Sequence, residues 1–441
     1  MLRTFGRAAF AALLISCMPA VASAASPATT TASIASLATL TPARALDTFY
    51  AQRGGSPLWL TSGVRSTPAM QLITTLRQAP VDGFDVGPEL AVEAEAALAR
   101  AATGDRAAIA QADRLLSTAW IMYVQALKRP PIGMVYSDER VAPRAANAFQ
   151  IISNAAAARS LTEHVASASQ INPLYAELRQ AAVNQMPLGL SQPLDPRLQT
   201  SLERARALPS TGRYVAVDAA AQKLFMIEDG RIVDTMKVVV GKPSSPTPMI
   251  ASMIHYATLN PYWNVPSDLS QKLIAPRVLD QGVGYLKDRR YEVLSGFEDD
   301  AQAIDPSTVD WKAVASGETA VRVRQLPGAH NAMGNVKFSF PNSAGIYLHD
   351  TDDKSLFAKD DRTLSNGCVR LEDAERLGRW LFGAMPQAAS ANPEQHIALP
   401  KGVPVYLTYL TAQAAGGQVA YLDDVYGRDS GAGSLMASAR R

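Results

Sequence analysis

The hydrophobic period of this chain changes at Arg213, and that change constrains the fold more than any other feature. Before it, Leu116, Trp120, Tyr123 and Leu127 recur at spacings of three and four, the pattern of a helix burying one face, and Pro130 and Pro131 stop that helix. After it, residues 214–217 and 223–227 are short runs of the strand type, and Glu228, Asp229 and Gly230 turn the chain into residues 232–240. Residues 254–259, 320–323, 336–340, 345–348 and 403–410 are further strand candidates. The expected class is therefore α+β. A mostly helical domain spans 44–210, its core opening with Leu46, Phe49, Tyr50, Leu58, Trp59 and Leu60, and a β-rich domain spans 211–411. A chain of 441 residues exceeds one ordinary hydrophobic core, which agrees with this division.

Pro243, Pro246 and Pro248 cannot donate to a sheet ladder, so they mark a loop or an edge. Over 266–319 the pattern turns helical and polar, with Leu269, Leu273, Ile274, Leu279 and Tyr285 spaced for a helix pair. An insertion that long reads as a cap over the domain. After Thr411 the sequence thins to Gly, Ala and Ser, and disorder is expected over 412–441.

Arg3 and Arg7 precede an apolar run over residues 8–15, and Ala22, Ser23 and Ala24 suit a signal peptidase, so residues 1–24 read as an export signal. The run is too short for a permanent span, which needs about 20 apolar residues. Two fates stay open: cleavage after the small residues, or lipidation of Cys17 in a Leu14, Ile15, Ser16, Cys17 lipobox. Residues 25–43, rich in Ala, Ser, Thr and Pro, read as a flexible tether. With 42 Lys and Arg against 40 Asp and Glu, no field favours nucleic acid or an anionic surface.

Either fate of Cys17 leaves Cys368 without a disulfide partner in an oxidising compartment. A lone Cys is otherwise a small buried hydrophobe. Here, however, residues 346–348 lead into His349, and Ser365, Asn366 and Gly367 lead into Cys368, nineteen positions later. A thiol attacks only as thiolate, and an adjacent imidazole can take its proton. An apolar strand to His349, a loop, and a Gly-Cys turn opening a helix at Leu371 would bring the two together. Glu372 and Asp373 suit the first turn of such a helix, whose free N–H groups would help hold a thiolate or oxyanion. Gly367 would let its backbone N–H approach an oxyanion, or is an ordinary turn glycine. A metal reading of His349, Asp350, Asp352 and Asp353 lacks a second His at ligand spacing, and the chain has no HExxH or CxxC. His164 and His396 read as surface or capping residues and His255 as structural.

These residues resemble the YkuD-type L,D-transpeptidases, in the larger Gram-negative branch with a helical scaffold. His349, fifteen intervening residues, then Ser365, Asn366, Gly367, Cys368, Val369 and Arg370 match its motif, with Asn366 where His is usual. Residues 260–266, 325–328, 331–334 and 337–338 look like further hallmark stretches, the insertion from Pro266 like its capping subdomain, and residues 49–59 like the start of its scaffold. Only residues 187–207 fill the interval where a peptidoglycan-binding module is usual.

The resemblance implies a two-step acyl transfer between peptidoglycan stem peptides in the periplasm, by a monomer without metal or organic cofactor. Cys368 would attack the stem's diaminopimelate carbonyl and expel D-Ala, and a second stem's amine would resolve the thioester into a 3→3 link. A 1→3 link is the alternative, since some relatives without the wall-binding module look associated with it. His349 would be base and then acid, its tautomer fixed by the Asp350 carbonyl or, as a rival, by the Asp350 side chain. Arg370 would bind a stem carboxylate or form a structural salt bridge. Tyr347 and Trp263 would line the donor pocket, with Ser365, Asn366, Asn331 and Met333 as further substrate contacts, and His330, in the loop 328–334 close to the family's donor-site loop, as a candidate contact. Capture of the thioester by water, as in an L,D-carboxypeptidase or endopeptidase, and a non-catalytic wall scaffold are the competing functions.

Overall fold

A computed structural model describes residues 43–144, 147–185 and 194–429. The expected export signal, all but the last residue of the tether, and residues 430–441 of the expected tail lie outside the described residues. Asp105 opens the long helix Arg106–Leu127 by accepting the Ala108 N–H at 2.9 Å, and the four residues singled out by spacing are all buried on it. Two carboxylates organise the helical part from inside. Asp113 accepts the backbone N–H groups of Leu58, Trp59 and Leu60 at 2.7, 2.7 and 3.0 Å and the Tyr50 hydroxyl at 2.7 Å. Asp82 accepts the Arg179 guanidinium at 2.7 and 2.9 Å, the Tyr123 hydroxyl at 2.7 Å, and the Tyr175 hydroxyl. Such charges are tolerated inside because every lone pair has a donor.

The β-rich part closes on itself. Its ring runs Ile250–Leu259, Val336–Ser339, Leu348–His349, Val369–Leu371, Arg231–Gly241, Lys223–Glu228, Arg213–Asp218 and Gln395–Thr408, and the last strand pairs back onto the first. Closure leaves no open edge in the ring. Its inward residues, among them Val215, Val217, Leu224, Met226, Ile254, Phe338, Leu348, Val369 and Val405, form one core. The candidate 345–348 forms ladder bonds only at Leu348–His349, because the Asn342 side chain holds both backbone groups of Ile346 at 2.9 Å. Val135–Tyr136, from the helical part, pairs parallel with Ile250–Leu259 and so joins the two parts.

The insertion contains the expected helices, Ser267–Leu269 continuing through a π-type turn into Ala275–Gln281, then Gly284–Asp288. It also contains two strands that the helical reading of 266–319 did not anticipate, Tyr291–Leu294 and Ala303–Ile304. Trp263–Val265, Arg322–Gln325, Tyr291–Leu294 and Ala303–Ile304 form a separate four-stranded sheet, packed with Trp311 and Val314 into the insertion's own core.

The expectation of disorder from residue 412 is corrected through residue 429. Ala412–Ala415 and Gln418–Tyr421 form a hairpin whose turn is Gly416 and Gly417, both at positive φ. Beyond it Asp429 forms a buried ion pair with Arg204 at 2.8 Å, and Arg204 also donates to the Tyr409 carbonyl at 2.9 Å. A partner 225 residues away overrides a composition that locally favours disorder.

Candidate active site

His349 ends one strand and Cys368 immediately precedes the parallel strand beside it. Leu348 pairs with Val369 and His349 with Arg370, and Val369 N–H donates to the Tyr347 carbonyl at 3.0 Å. The expected helix at Leu371 does not form. Residues 369–371 are a strand, and the helix Ala374–Phe382 begins later, with Asp373 as its cap rather than part of its first turn. No helix start therefore faces Cys368, and that source of thiolate stabilisation is absent from this turn.

The turn itself is held by hydroxyl groups. Ser365 Oγ donates to the Cys368 carbonyl at 2.6 Å and accepts the Gly367 N–H at 3.1 Å. Thr247 Oγ1 donates to the Gly367 carbonyl at 2.7 Å and accepts the Gly241 N–H at 2.9 Å. Gly367 has φ +113°, and a Cβ there would meet Ile346 Cδ1 at 3.2 Å, so the backbone requires glycine. Its N–H is taken by Ser365, which corrects its expected place among oxyanion donors. The Cys368 N–H takes no acceptor among the described residues.

His349 is 4% exposed, and its Nδ1–H donates to the Asp350 carbonyl at 2.5 Å. Nε2 is then the basic nitrogen. The Asp350 carboxylate is elsewhere: it accepts Lys354 Nζ at 2.7 Å and the Asn335 N–H at 3.0 Å, so the side-chain orienter is excluded by geometry. Burial, aided by the nearby Arg370 charge, pushes His349 down to about 3 against the opposing pull of the Asp350 carbonyl. Burial raises the Cys368 thiol, opposed by the Tyr347 backbone N–H and then by Arg370 and Lys337. The resting pair is thus neutral thiol and neutral imidazole. The thiol donates to the Gly345 carbonyl at 3.7 Å rather than to the ring.

Both groups open on a cavity of about 230 Å³ whose walls include Trp263, Pro266, Leu269, Met333, Ser365, Asn366 and Arg370. Trp263 and Leu269 bring the insertion over the cavity, and exposed Asn366 lies on its wall. Arg370 donates to Thr351 Oγ1 at 3.1 Å; no carboxylate forms an ion pair with it among the described residues, although Asp352 and Asp353 are near enough to act electrostatically. The structural salt bridge is therefore not what holds it.

Three expected contacts lie elsewhere. Asn331 is 1% exposed and fully engaged, donating to the carbonyls of Pro261, Gln325 and Leu326 and accepting the Met333 N–H, so it shapes the loop that presents Met333. Tyr347 is not part of the cavity wall; its ring faces Lys337 Nζ at 5.2 Å. His330 is exposed outside the cavity, its carbonyl accepting Gln325 Nε2. His396 lies on a strand against Thr258 Oγ1 at 3.0 Å, His255 joins Arg140 at 2.9 Å, and His164 is half-buried beside Trp120 rather than on the surface. Reading the sequence missed Thr247 and Ser245. Their signal was the run of prolines at 243, 246 and 248, which fixes a loop against the cysteine turn.

Residues 212–405 match the YkuD family, the L,D-transpeptidase catalytic domain, and residues 44–181 match the Scaffold domain family. A Haemophilus influenzae protein provisionally named an L,D-transpeptidase is 29% identical over 276 residues, covering 61% of this chain and 55% of that protein. The chain thus spans about half the length of the curated relative it matches. Among solved structures, the L,D-transpeptidase from Mycobacterium smegmatis shares 13% identity over 44% of this chain and 58% of its own, with a TM-score of 0.23. The catalytic domain of the E. faecium L,D-transpeptidase acylated by ertapenem shares 17% identity over 45% of this chain and 97% of its own, with a TM-score of 0.23.

Proposed function

We propose, for a chain that carries a YkuD-type L,D-transpeptidase catalytic domain behind a scaffold domain, that it cross-links peptidoglycan stem peptides in the periplasm through a thioester on Cys368. One observation carries this reading: a buried imidazole with a fixed tautomer and a thiol in the turn that leads into the adjacent strand open on the same cavity.

The thiol proton passes to His349 Nε2 as Sγ bonds to the diaminopimelate carbonyl carbon of a tetrapeptide stem. The Cys368 N–H donates to the oxyanion; one such donor contributes about 3 kcal/mol in other enzymes. His349 then gives its proton to the departing D-Ala nitrogen as the C–N bond breaks. A second stem's side-chain amine attacks the thioester, its proton returns through His349 to sulfur, and a 3→3 link results.

Arg370 adds a link between binding and chemistry. Its charge disfavours the imidazolium, so a stem carboxylate seated on it removes that repulsion and makes His349 a better base only when substrate is present. Arg370→Gln should accordingly weaken binding while relieving part of the depression of His349.

Incubation of the purified chain with tetrapeptide muropeptides, read by mass spectrometry, tests the proposal. Dimers linked between diaminopimelate residues support it. Tripeptides without dimers assign the enzyme to hydrolysis, and links starting at L-Ala assign the 1→3 bond.

A further inference from the structure

The Gly367 carbonyl and the Cys368 N–H are the two ends of one peptide group, and in a planar trans peptide they point in opposite directions and turn together. Thr247 Oγ1 holds the carbonyl end at 2.7 Å. Whatever fixes Thr247 therefore aims the N–H that, on the functional reading above, receives the oxyanion. Thr247 is fully buried, and contacts from outside its own loop, residues 241–247, set its position.

Those contacts come from residues 424–429, beyond the span matched to the catalytic domain. Arg428 donates to the Thr247 carbonyl at 2.8 Å, and the Tyr426 hydroxyl donates to the Gly241 carbonyl at 2.5 Å, at the other end of the loop. Between them the Gly241 N–H donates to Thr247 Oγ1 at 2.9 Å, and the Lys242 N–H donates to the Ser365 carbonyl at 2.9 Å. The loop thus grips the cysteine turn at both Ser365 and Gly367. The C-terminal segment is itself firmly built. Asp424 accepts the N–H groups of Arg428 and Asp429 at 2.9 and 2.8 Å and the Tyr409 hydroxyl at 2.9 Å. The Tyr409 and Tyr426 rings stack at 5.0 Å, the Arg428 guanidinium lies 5.2 and 4.8 Å from their centres, and Asp429 is anchored on Arg204. Arg428 acts here through geometry, since the cations that influence the Cys368 thiol are Arg370 and Lys337.

We propose that Tyr426 and Arg428 are positioning residues for acyl transfer: they brace the loop 241–247, so that Thr247 holds the peptide between Gly367 and Cys368 and directs the Cys368 N–H at the developing oxyanion. This rests on the reading of Cys368 as nucleophile with its own N–H as oxyanion donor. Two reactions of the same thiol separate the aim of that N–H from the state of the sulfur. Attack on a carbonyl builds an oxyanion and needs the donor. Alkylation by iodoacetamide does not: Sγ bonds to the methylene carbon as iodide leaves, the thiol proton passes to solvent, and no oxyanion forms.

The test uses the full chain. Wild type and variants are acylated by a carbapenem over a range of concentrations, with the time course read by intact mass, and alkylated in parallel by iodoacetamide; a melting curve checks that each is folded. Arg428→Met should lower the maximal acylation rate about tenfold and Thr247→Val about thirtyfold, short of the roughly 10²–10³-fold lost when an oxyanion donor is removed outright. The half-saturating carbapenem concentration and the alkylation rate should stay within about twofold of wild type, because neither reads the oxyanion. Arg428→Lys and Thr247→Ser, which keep a donor and a hydroxyl, should acylate within about threefold of wild type, and the double variant Thr247→Val, Arg428→Met should be no slower than Thr247→Val alone. Tyr426→Phe keeps the ring stack and should give a smaller loss of the same kind, which keeps the test decisive should Arg428→Met not fold. Wild-type acylation in the donor-less variants, an equal loss of alkylation, or a higher half-saturating concentration at unchanged maximal rate would overturn the proposal and leave the catalytic reading intact. A wild-type chain alkylated at Cys368 but never acylated would instead sink the catalytic reading, and this one with it.

Discussion

The Asp82 cluster in the helical part and the His349–Cys368 pair in the strand ring are both buried polar groups, yet they are finished to different degrees. Asp82 receives donors from Arg179, Tyr123 and Tyr175, and its backbone carbonyl takes Arg206. His349 is held at one nitrogen only, and the thiol beside it has a long contact to a carbonyl. The Asp82 carboxylate has a donor for every lone pair, whereas His349 Nε2 and the Cys368 N–H have no partner among the described residues, as the proposed proton exchange requires.

The comparison breaks most sharply at Cys368→Ala. Acylation by a carbapenem, followed by intact mass, should vanish, while the melting temperature stays within about 2 °C because a half-buried thiol with one weak contact contributes little to stability. Asp82→Ala should do the reverse. Leaving Arg179 buried without its carboxylate should cost about 3–5 kcal/mol in urea denaturation, with acylation per folded molecule retained.

A third test separates the two by pH. The folded pKa of His349 lies at about 3, below an ordinary value near 6.5, so between those limits the unfolded chain binds a proton that the native state refuses. This residue's contribution should therefore lower stability as pH falls below 6.5, by about 1.4 kcal/mol per pH unit, and level off below 3. His349→Gln should remove one proton's worth of that slope. The smallest effect is expected for Asp350→Asn. Its carboxylate faces Lys354, half exposed, and not the ring, so stability should change by about 1 kcal/mol or less and acylation by no more than about threefold. A loss comparable to that in a His349 variant would restore the side chain as orienter.

Much of this was legible in the sequence where the signal is local. The change of period at Arg213 separated the helical part from the ring, and the spacing from His349 to Cys368 put both on one cavity. What escaped was decided by remote partners. Glu372 and Asp373 looked like a first helical turn, but Val369 and Leu371 pair with the neighbouring strands and Asp373 caps a helix further on. Asn331 looked like a substrate contact because it sits in the right loop, and three backbone carbonyls claim its amide instead. Tyr291–Leu294 and Ala303–Ile304 are four and two residues long, too short for alternation to stand out against the helical spacing nearby.

The ion pair between Arg204 and Asp429 has a consequence for biogenesis. A chain synthesised from its N-terminus presents the arginine long before the aspartate exists, so the guanidinium must wait, hydrated or loosely engaged, until residue 429 emerges. Completion of the scaffold is thereby made contingent on the last stretch of the chain, and a nascent polypeptide released early would display an unlatched helix to proteases.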